Sequence, residues 1–284
     1  MKSLFKLGST SVSIRIGRMG LGVLSNAALA RLMAPHDFGV LAFAIATTTL
    51  IAIPGEGGMT SLATREVVKK RVSNDLPGLR GFIYFANATV LSLSLTSVLI
   101  AALIVGILWT VSPDVRYPTL MVTLGSVIFG PMANTRAGIL RGLGSPILSQ
   151  IPEQIIRPGM LTLIAATAFF LGYRSIAPEW GAAMYLTSSA IAFAVGTAVL
   201  VIYYKRHVPS GDRVVQTREW LSSLLPFSLV AAVQVAMGQT AMVVLGMVRP
   251  PTDTAIFRIV TLIGDVVGFS VLALGVLEIG RAHV

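Results

Sequence analysis

The residues of this sequence that could do chemistry are charged side chains inside long apolar stretches. Arg15 and Arg18 stand in the run 8–33, Glu56 in 38–64, and Arg258 and Asp265 in 254–277. An ionised group in hydrocarbon is costly and normally faces a bundle interior or a wet cavity. Ser11, Arg15, Arg18, Gly22 and Ser25 follow at steps of four, three, four and three, which places them on one helix face. Arg258, Thr261, Asp265 and Gly268 form a similar face, with Asp265 about mid-span. Each has a plainer alternative: snorkelling to headgroups for the two arginines, a protonated packing role for Asp265, and an interfacial position for Glu56.

Other charges read more simply. Glu153 and Arg157 are an i,i+4 pair with the acid on the N-terminal side, which suits local helix support. Arg65, Arg136 and Arg141 could attract an anionic headgroup, or only set the topology. There is no cysteine, and His36, His207 and His283 lie far apart and form no ligand motif. No hydrolase triad, phosphate-binding glycine loop, metal cluster or pair of catalytic carboxylates can be assembled. No catalytic residue, metal or other cofactor is therefore expected.

The elements that position these charges are membrane helices. Of 284 residues, 54% are hydrophobic and 12% charged, with mean hydropathy +0.80. A soluble domain carries about 25% charged residues, so the bilayer is the main solvent. The net charge of +10 does not point to nucleic acid, because the Lys and Arg lie in short runs between apolar segments. Eight segments are long enough to span: 8–33, 38–64, 82–109, 117–140, 153–173, 180–204, 221–248 and 254–277. In lipid such segments are helices, since every backbone group must be satisfied internally. The expected class is an all-α integral membrane protein. Its first six helices (1–204) form one lobe, 205–220 a linker, and 221–277 the first two helices of a second lobe.

Basic residues gather at the N-terminus (Lys2, Lys6) and in alternate connections, among them Arg65, Lys69, Lys70, Arg71, Arg141, Lys205 and Arg206. The positive-inside rule puts the N-terminus and these connections in the cytoplasm. Arg15 and Arg18 interrupt what would be the core of a signal peptide, so the N-terminus reads as retained. Breaks are expected at Pro54-Gly55-Glu56-Gly57-Gly58, at Gly130-Pro131 and at Pro226. The first hairpin turns at Ala34-Pro35-His36-Asp37, where the proline stops one helix and Asp37 is placed to cap the next.

That turn also carries a resemblance. The run from Ala30 to Leu41, ARLMAPHDFGVL, is similar to the A-R-x-L-x-P-x-D/E-F/Y-G-x-L signature of the oligosaccharide flippase and polysaccharide exporter family. Met33 and Ala34 stand where Leu and Gly are common. Thr64-Arg65-Glu66-Val67, Arg141-Gly142-Leu143-Gly144 and the run Ile151 to Pro158 add supporting matches. The family belongs to the multidrug/oligosaccharidyl-lipid/polysaccharide exporter superfamily.

The resemblance implies a two-lobe helical bundle around a cationic cavity that alternates between the faces of a bacterial cytoplasmic membrane. The implied substrate is an undecaprenyl-diphosphate-linked oligosaccharide, with membrane lipids and a polymerase and glycosyltransferases of the same pathway as partners. Arg15, Arg18 and Arg258 would bind the diphosphate, since guanidinium groups grip phosphate oxygens in a bidentate fork. Glu56 or Asp265 would couple transport to protons or sodium. The seventh helix often carries an acid before a Leu-Gly pair, and Gln239 to Gly246 here has none. A multidrug antiporter of the same superfamily and a membrane-embedded transferase of glycan assembly are the alternatives. The family usually has twelve to fourteen helices. The ending Glu278 to Val284, EIGRAHV, is similar to a translated sequencing adapter, and 278–284 is expected to be an artefact of truncation.

Overall fold

The computed structural model describes the backbone of residues 2–282 and the side chains of residues 13–268 other than Arg15 and Val266. Among the described residues the chain is helical throughout, without strands. The helices are α1 (Lys2–Leu32), α2 (Pro35–Ile51), α3 (Ile53–Glu56), α4 (Met59–Val72), α5 (Leu76–Val111), α6 (Arg116–Thr123), α7 (Ser126–Gly142) and α8 (Pro146–Ile151). A π turn (Pro152–Ile156) leads into α9 (Arg157–Phe170), followed by α10 (Pro178–His207), α11 (Thr217–Val248) and α12 (Pro251–Ala282). Each predicted apolar segment becomes one helix or one broken run: α2–α4, α6–α7 and α8–α9 are the broken ones. Among the described residues, three helices, α5, α10 and α11, are individually long and apolar enough to cross a bilayer. The bent pair of α2 with the α3–α4 run, angled by 43°, qualifies as a fourth. On α5, Leu99, Leu103 and Ile107 form a stripe at helical spacing that is more than half exposed. Such a stripe needs lipid against it. The protein is an all-α, multi-pass membrane protein.

Two local expectations need correction. Asp37 does not cap α2: the helix begins at Pro35 with Ala34 as its N-cap, and no side chain caps it. Asp37 instead lies in the first turn, where its charge suits the helix dipole, and its Oδ1 meets His36 Nδ1 at 3.2 Å. Nor do all the prolines break their helices. Pro131 and Pro226 sit inside continuous α7 and α11, and the fourth segment breaks earlier, at Leu124-Gly125. The break at 54–58 is real. Gly57 and Gly58 both adopt left-handed backbone, with φ of 40° and 66°, which only glycine takes cheaply. The Gly57 carbonyl freed there accepts a 2.6 Å hydrogen bond from Ser228 Oγ of α11. Of the 278–284 tail, only the helical backbone to Ala282 is described.

α1 packs on α9 and the π turn, α4 on α7 and α5, and α10 on α6, α7 and α9, while α11 and α12 lie along α2. The stretch 208–216 between α10 and α11 is fastened at the basic end of the bundle. Arg80 donates from Nε to the Asp212 carbonyl (2.8 Å) and from NH1 to the Pro209 carbonyl (2.6 Å). Lys70 reaches Asp75 Oδ2 at 2.7 Å and Gln216 Oε1 at 3.0 Å. The Lys70 hydrogen bond and the Gly78 N–H together hold the Asp75 carboxyl below the usual carboxylate range. A depressed carboxyl stabilises the fold above its unfolded value, so this fastening weakens as the pH falls through that range. One turn into α11, Trp220 is 1% exposed and sits edge-on to Phe82, with centroids 5.2 Å apart. Its Nε1 has no hydrogen-bond partner among the described residues. Trp220→Phe therefore removes ring volume but no bond, and should cost about 1–2 kcal/mol, read as a lowered unfolding midpoint in detergent.

Candidate functional site

Seven helical runs converge on one cavity of about 990 Å³. α1 contributes Arg18, Ser25 and Asn26; α3 contributes Glu56; α7 contributes Asn134. The π turn and the start of α9 add Glu153, Gln154 and Arg157, and α12 adds Arg258 and Asp265. Leu29, Phe38, Leu41, Phe129 and Leu161 supply apolar wall between them. This mixture of a few placed polar groups in an apolar shell is the common build of a ligand site, and the volume lies in the usual range.

The breaks in the helices are what deliver the charges. The glycine break after α3 ends that short helix at Glu56, whose Oε1 accepts a 2.9 Å hydrogen bond from Asn134 Nδ2 across the cavity floor. The π turn has an equally direct cause. Pro158 has no N–H to continue the α ladder, and the Arg157 N–H instead reaches back to the Pro152 carbonyl, five residues away. On α1, Asn26 donates from Nδ2 to the Gly22 carbonyl at 2.8 Å and presents Oδ1 to Arg258 Nε at 3.4 Å. That contact bridges α1 and α12.

The predicted residues separate cleanly in space. Arg18, Glu56, Arg258 and Asp265 all line the cavity, although they come from three distant parts of the chain. The Arg15 side chain lies outside the described residues. Arg65 is 58% exposed and stands 3.9 Å from Glu66. Arg141 is exposed beside a second recess of about 190 Å³. Arg136 is different: it is 3% exposed, donates to the Phe193 carbonyl at 2.9 Å and pairs with Glu153 at 3.2 Å. A guanidinium so enclosed is out of reach of a lipid headgroup, and its role is to hold Glu153.

The balance of charge also differs from a simply cationic cavity. Arg18, Arg157 and Arg258 on its wall are matched in number by Glu56, Glu153 and Asp265. The surplus comes from Arg136, which takes up the Glu153 charge from behind the wall.

A family model described as polysaccharide biosynthesis protein matches residues 6–273. The chain belongs to that family. Among solved structures, it is similar to the inward-facing conformation of a multidrug resistance MATE family transporter of the MOP superfamily, with TM-score 0.63 and 15% identity. The match covers 87% of this chain and 59% of that one, so the chain spans less than two thirds of the transporter's length. At that identity the likeness establishes the fold. The chain matches none of the curated proteins.

Sequence reasoning missed Asn134 and Asn26, neutral residues whose importance lies in what they touch. It read Glu153 and Arg157 as a helix-supporting pair. They do approach at 3.8 Å, but both also face the cavity. The adjacent prolines, Pro152 and Pro158, were the signal for an irregular turn.

Proposed function

We propose that this polysaccharide biosynthesis family protein translocates an undecaprenyl-diphosphate-linked oligosaccharide across the bacterial cytoplasmic membrane by alternating access. The observation that carries the reading is the gathering of Arg18, Glu56, Arg258 and Asp265 into one cavity of an otherwise apolar bundle. In this reading 1–204 is the first lobe, α11 and α12 open a second, and the basic end of the bundle, with the N-terminus, is cytoplasmic. Arg15, Arg18 and Arg258 take the diphosphate. Glu56, held by Asn134, or Asp265 senses the coupling ion. Arg65 and Arg141 draw anionic headgroups at the cytoplasmic face. A polymerase and glycosyltransferases of the same pathway supply and consume the substrate. The family and the fold suit transport rather than catalysis.

The test is native mass spectrometry of the purified chain with an undecaprenyl-diphosphate saccharide and with undecaprenol. Retention of the diphosphate lipid alone supports the reading; equal retention of both sinks it. The coupling assignment has its own check. Glu56→Gln keeps an acceptor for Asn134 but removes the charge, so pH or sodium dependence of lipid binding should disappear while folding is kept. Persistence of that dependence in both Glu56→Gln and Asp265→Asn would remove the two acids from the coupling role.

The MATE-like fold favours a second reading, export of organic cations. Three cavity carboxylates could serve a cation, but Glu153 is already committed to Arg136. That leaves the wall with more positive than negative charge to offer.

A further inference from the structure

The cluster at the π turn has a feature that helix support does not explain. One carboxylate, Glu153, is shared between two guanidiniums: Arg136 at 3.2 Å on one oxygen and Arg157 at 3.8 Å on the other. The partners are unequal. Arg136 is 3% exposed and locked further by the Phe193 carbonyl, whereas the Arg157 side chain is 36% exposed and faces the cavity. The shorter, buried pair is the one that cannot be given up, because breaking it would leave a charge stranded in the protein interior. The longer contact, beyond hydrogen-bond length, is the one that can. The cluster carries one positive charge more than it balances, and that surplus is displayed on Arg157. The Tyr185 ring, 5.9 Å from the Arg157 guanidinium carbon, limits where the side chain can go.

We infer that Arg157 is an oxyanion-binding residue of the cavity, which exchanges its loose contact with Glu153 for a bidentate grip on a phosphate of the lipid-linked substrate. This rests on the proposed flippase reading and adds a residue to it. Glu153 is a positioning residue: anchored by Arg136, it holds Arg157 over the cavity when no anion is present and competes mildly with the anion when one arrives. The π turn serves the same end, since irregular turns of this kind recur at functional sites. No bond is made or broken; an ion contact is exchanged.

The experiment is titration of fluorescent undecaprenyl diphosphate into the wild-type chain and its variants in nanodiscs, with inorganic pyrophosphate as competitor. Arg157→Ala should weaken binding at least tenfold. Arg157→Lys should do nearly the same: a lysine can still pair with Glu153 but has no planar fork for a phosphate. Glu153→Gln, whose amide oxygen still accepts from Arg136, should bind the lipid several-fold more tightly, because the competing charge is gone. A purely structural pair predicts the opposite pattern, with the lysine variant restoring wild-type binding and the glutamine variant gaining nothing. Either result would overturn the inference, as would tighter binding of free pyrophosphate than of the lipid. Loss of binding in Arg258→Ala with full retention in Arg157→Ala would reject this residue and leave the flippase reading standing. Failure of the wild-type chain to bind the lipid would reject the flippase reading and this inference with it.

Discussion

Arg258→Ala is expected to lower affinity for a diphosphate lipid by one to two orders of magnitude. The residue sits on α12 at the cavity wall, half-buried, with its Nε 3.4 Å from Asn26 Oδ1. That neutral contact is long and leaves the rest of the guanidinium fork to face the cavity. A hydrogen bond to a charged group contributes about 1.5–3 kcal/mol, and about 1.4 kcal/mol is tenfold in affinity, which sets the range. The fold should survive, since little is lost when a 3.4 Å contact goes. Arg258→Lys should recover part of the affinity but not all, because a point charge replaces a planar fork. Titration in nanodiscs, beside an unfolding midpoint for each variant, checks this. An unchanged dissociation constant would mean that the anion does not lie between α1 and α12.

Gly138→Leu is expected to prevent the bundle from assembling. Gly138 and Gly142 are four apart on α7 and press against α4. A Cβ on Gly138 would run into the Thr60 carbonyl oxygen, and one on Gly142 would come within 2.6 Å of Val67 Cβ. Helices in lipid associate through such small residues, which let backbones approach. That approach lets Thr64 Oγ1 share its proton between the Thr60 carbonyl of its own helix (3.0 Å) and the Gly138 carbonyl of α7 (3.2 Å). Backbone cannot retreat as a flexible side chain can, so the substitution should cost more than about 3 kcal/mol, above the usual range for overpacking. In gel filtration it should yield no monodisperse protein. Gly20→Ala, where a Cβ would meet nothing within 4 Å, is the control and should behave as wild type. Well-folded Gly138→Leu protein would show that α4 and α7 do not pack in this register.

How much could be read in advance follows from what kind of signal each residue gives. The helices were legible because uncharged runs such as 82–109 admit no other solvent than lipid. Arg18, Glu56, Arg258 and Asp265 were legible for the same reason, since a charge in an apolar run stands out and has few places to go. Their meeting in one cavity was not, because spacing within a helix says nothing about which helices face one another. Glu153 and Arg157 do approach as the expected i,i+4 pair, but that they also line the cavity could not be read, because the spacing is the same in either setting. Arg136, the residue that decides their balance, is remote from Arg157 in sequence. Its charge alone suits either headgroup attraction or topology setting, and it lies in the interior. The fastening of 208–216 was invisible for another reason: Arg80 bonds to main-chain carbonyls, and carbonyls leave no mark on residue type. The Gly138/Gly142 spacing, by contrast, is a small-residue pattern legible in the sequence.

The proposed function requires a cavity built for a lipid diphosphate, not for an organic cation. Competition between an undecaprenyl-diphosphate saccharide and a lipophilic cation for the purified wild-type chain in nanodiscs tests it most directly. Saturable binding of the diphosphate lipid is expected, undisplaced by excess cation and at least tenfold weaker in Arg18→Ala and Arg258→Ala. Saturable binding of the cation, abolished by Glu56→Gln and indifferent to the diphosphate lipid, would contradict it.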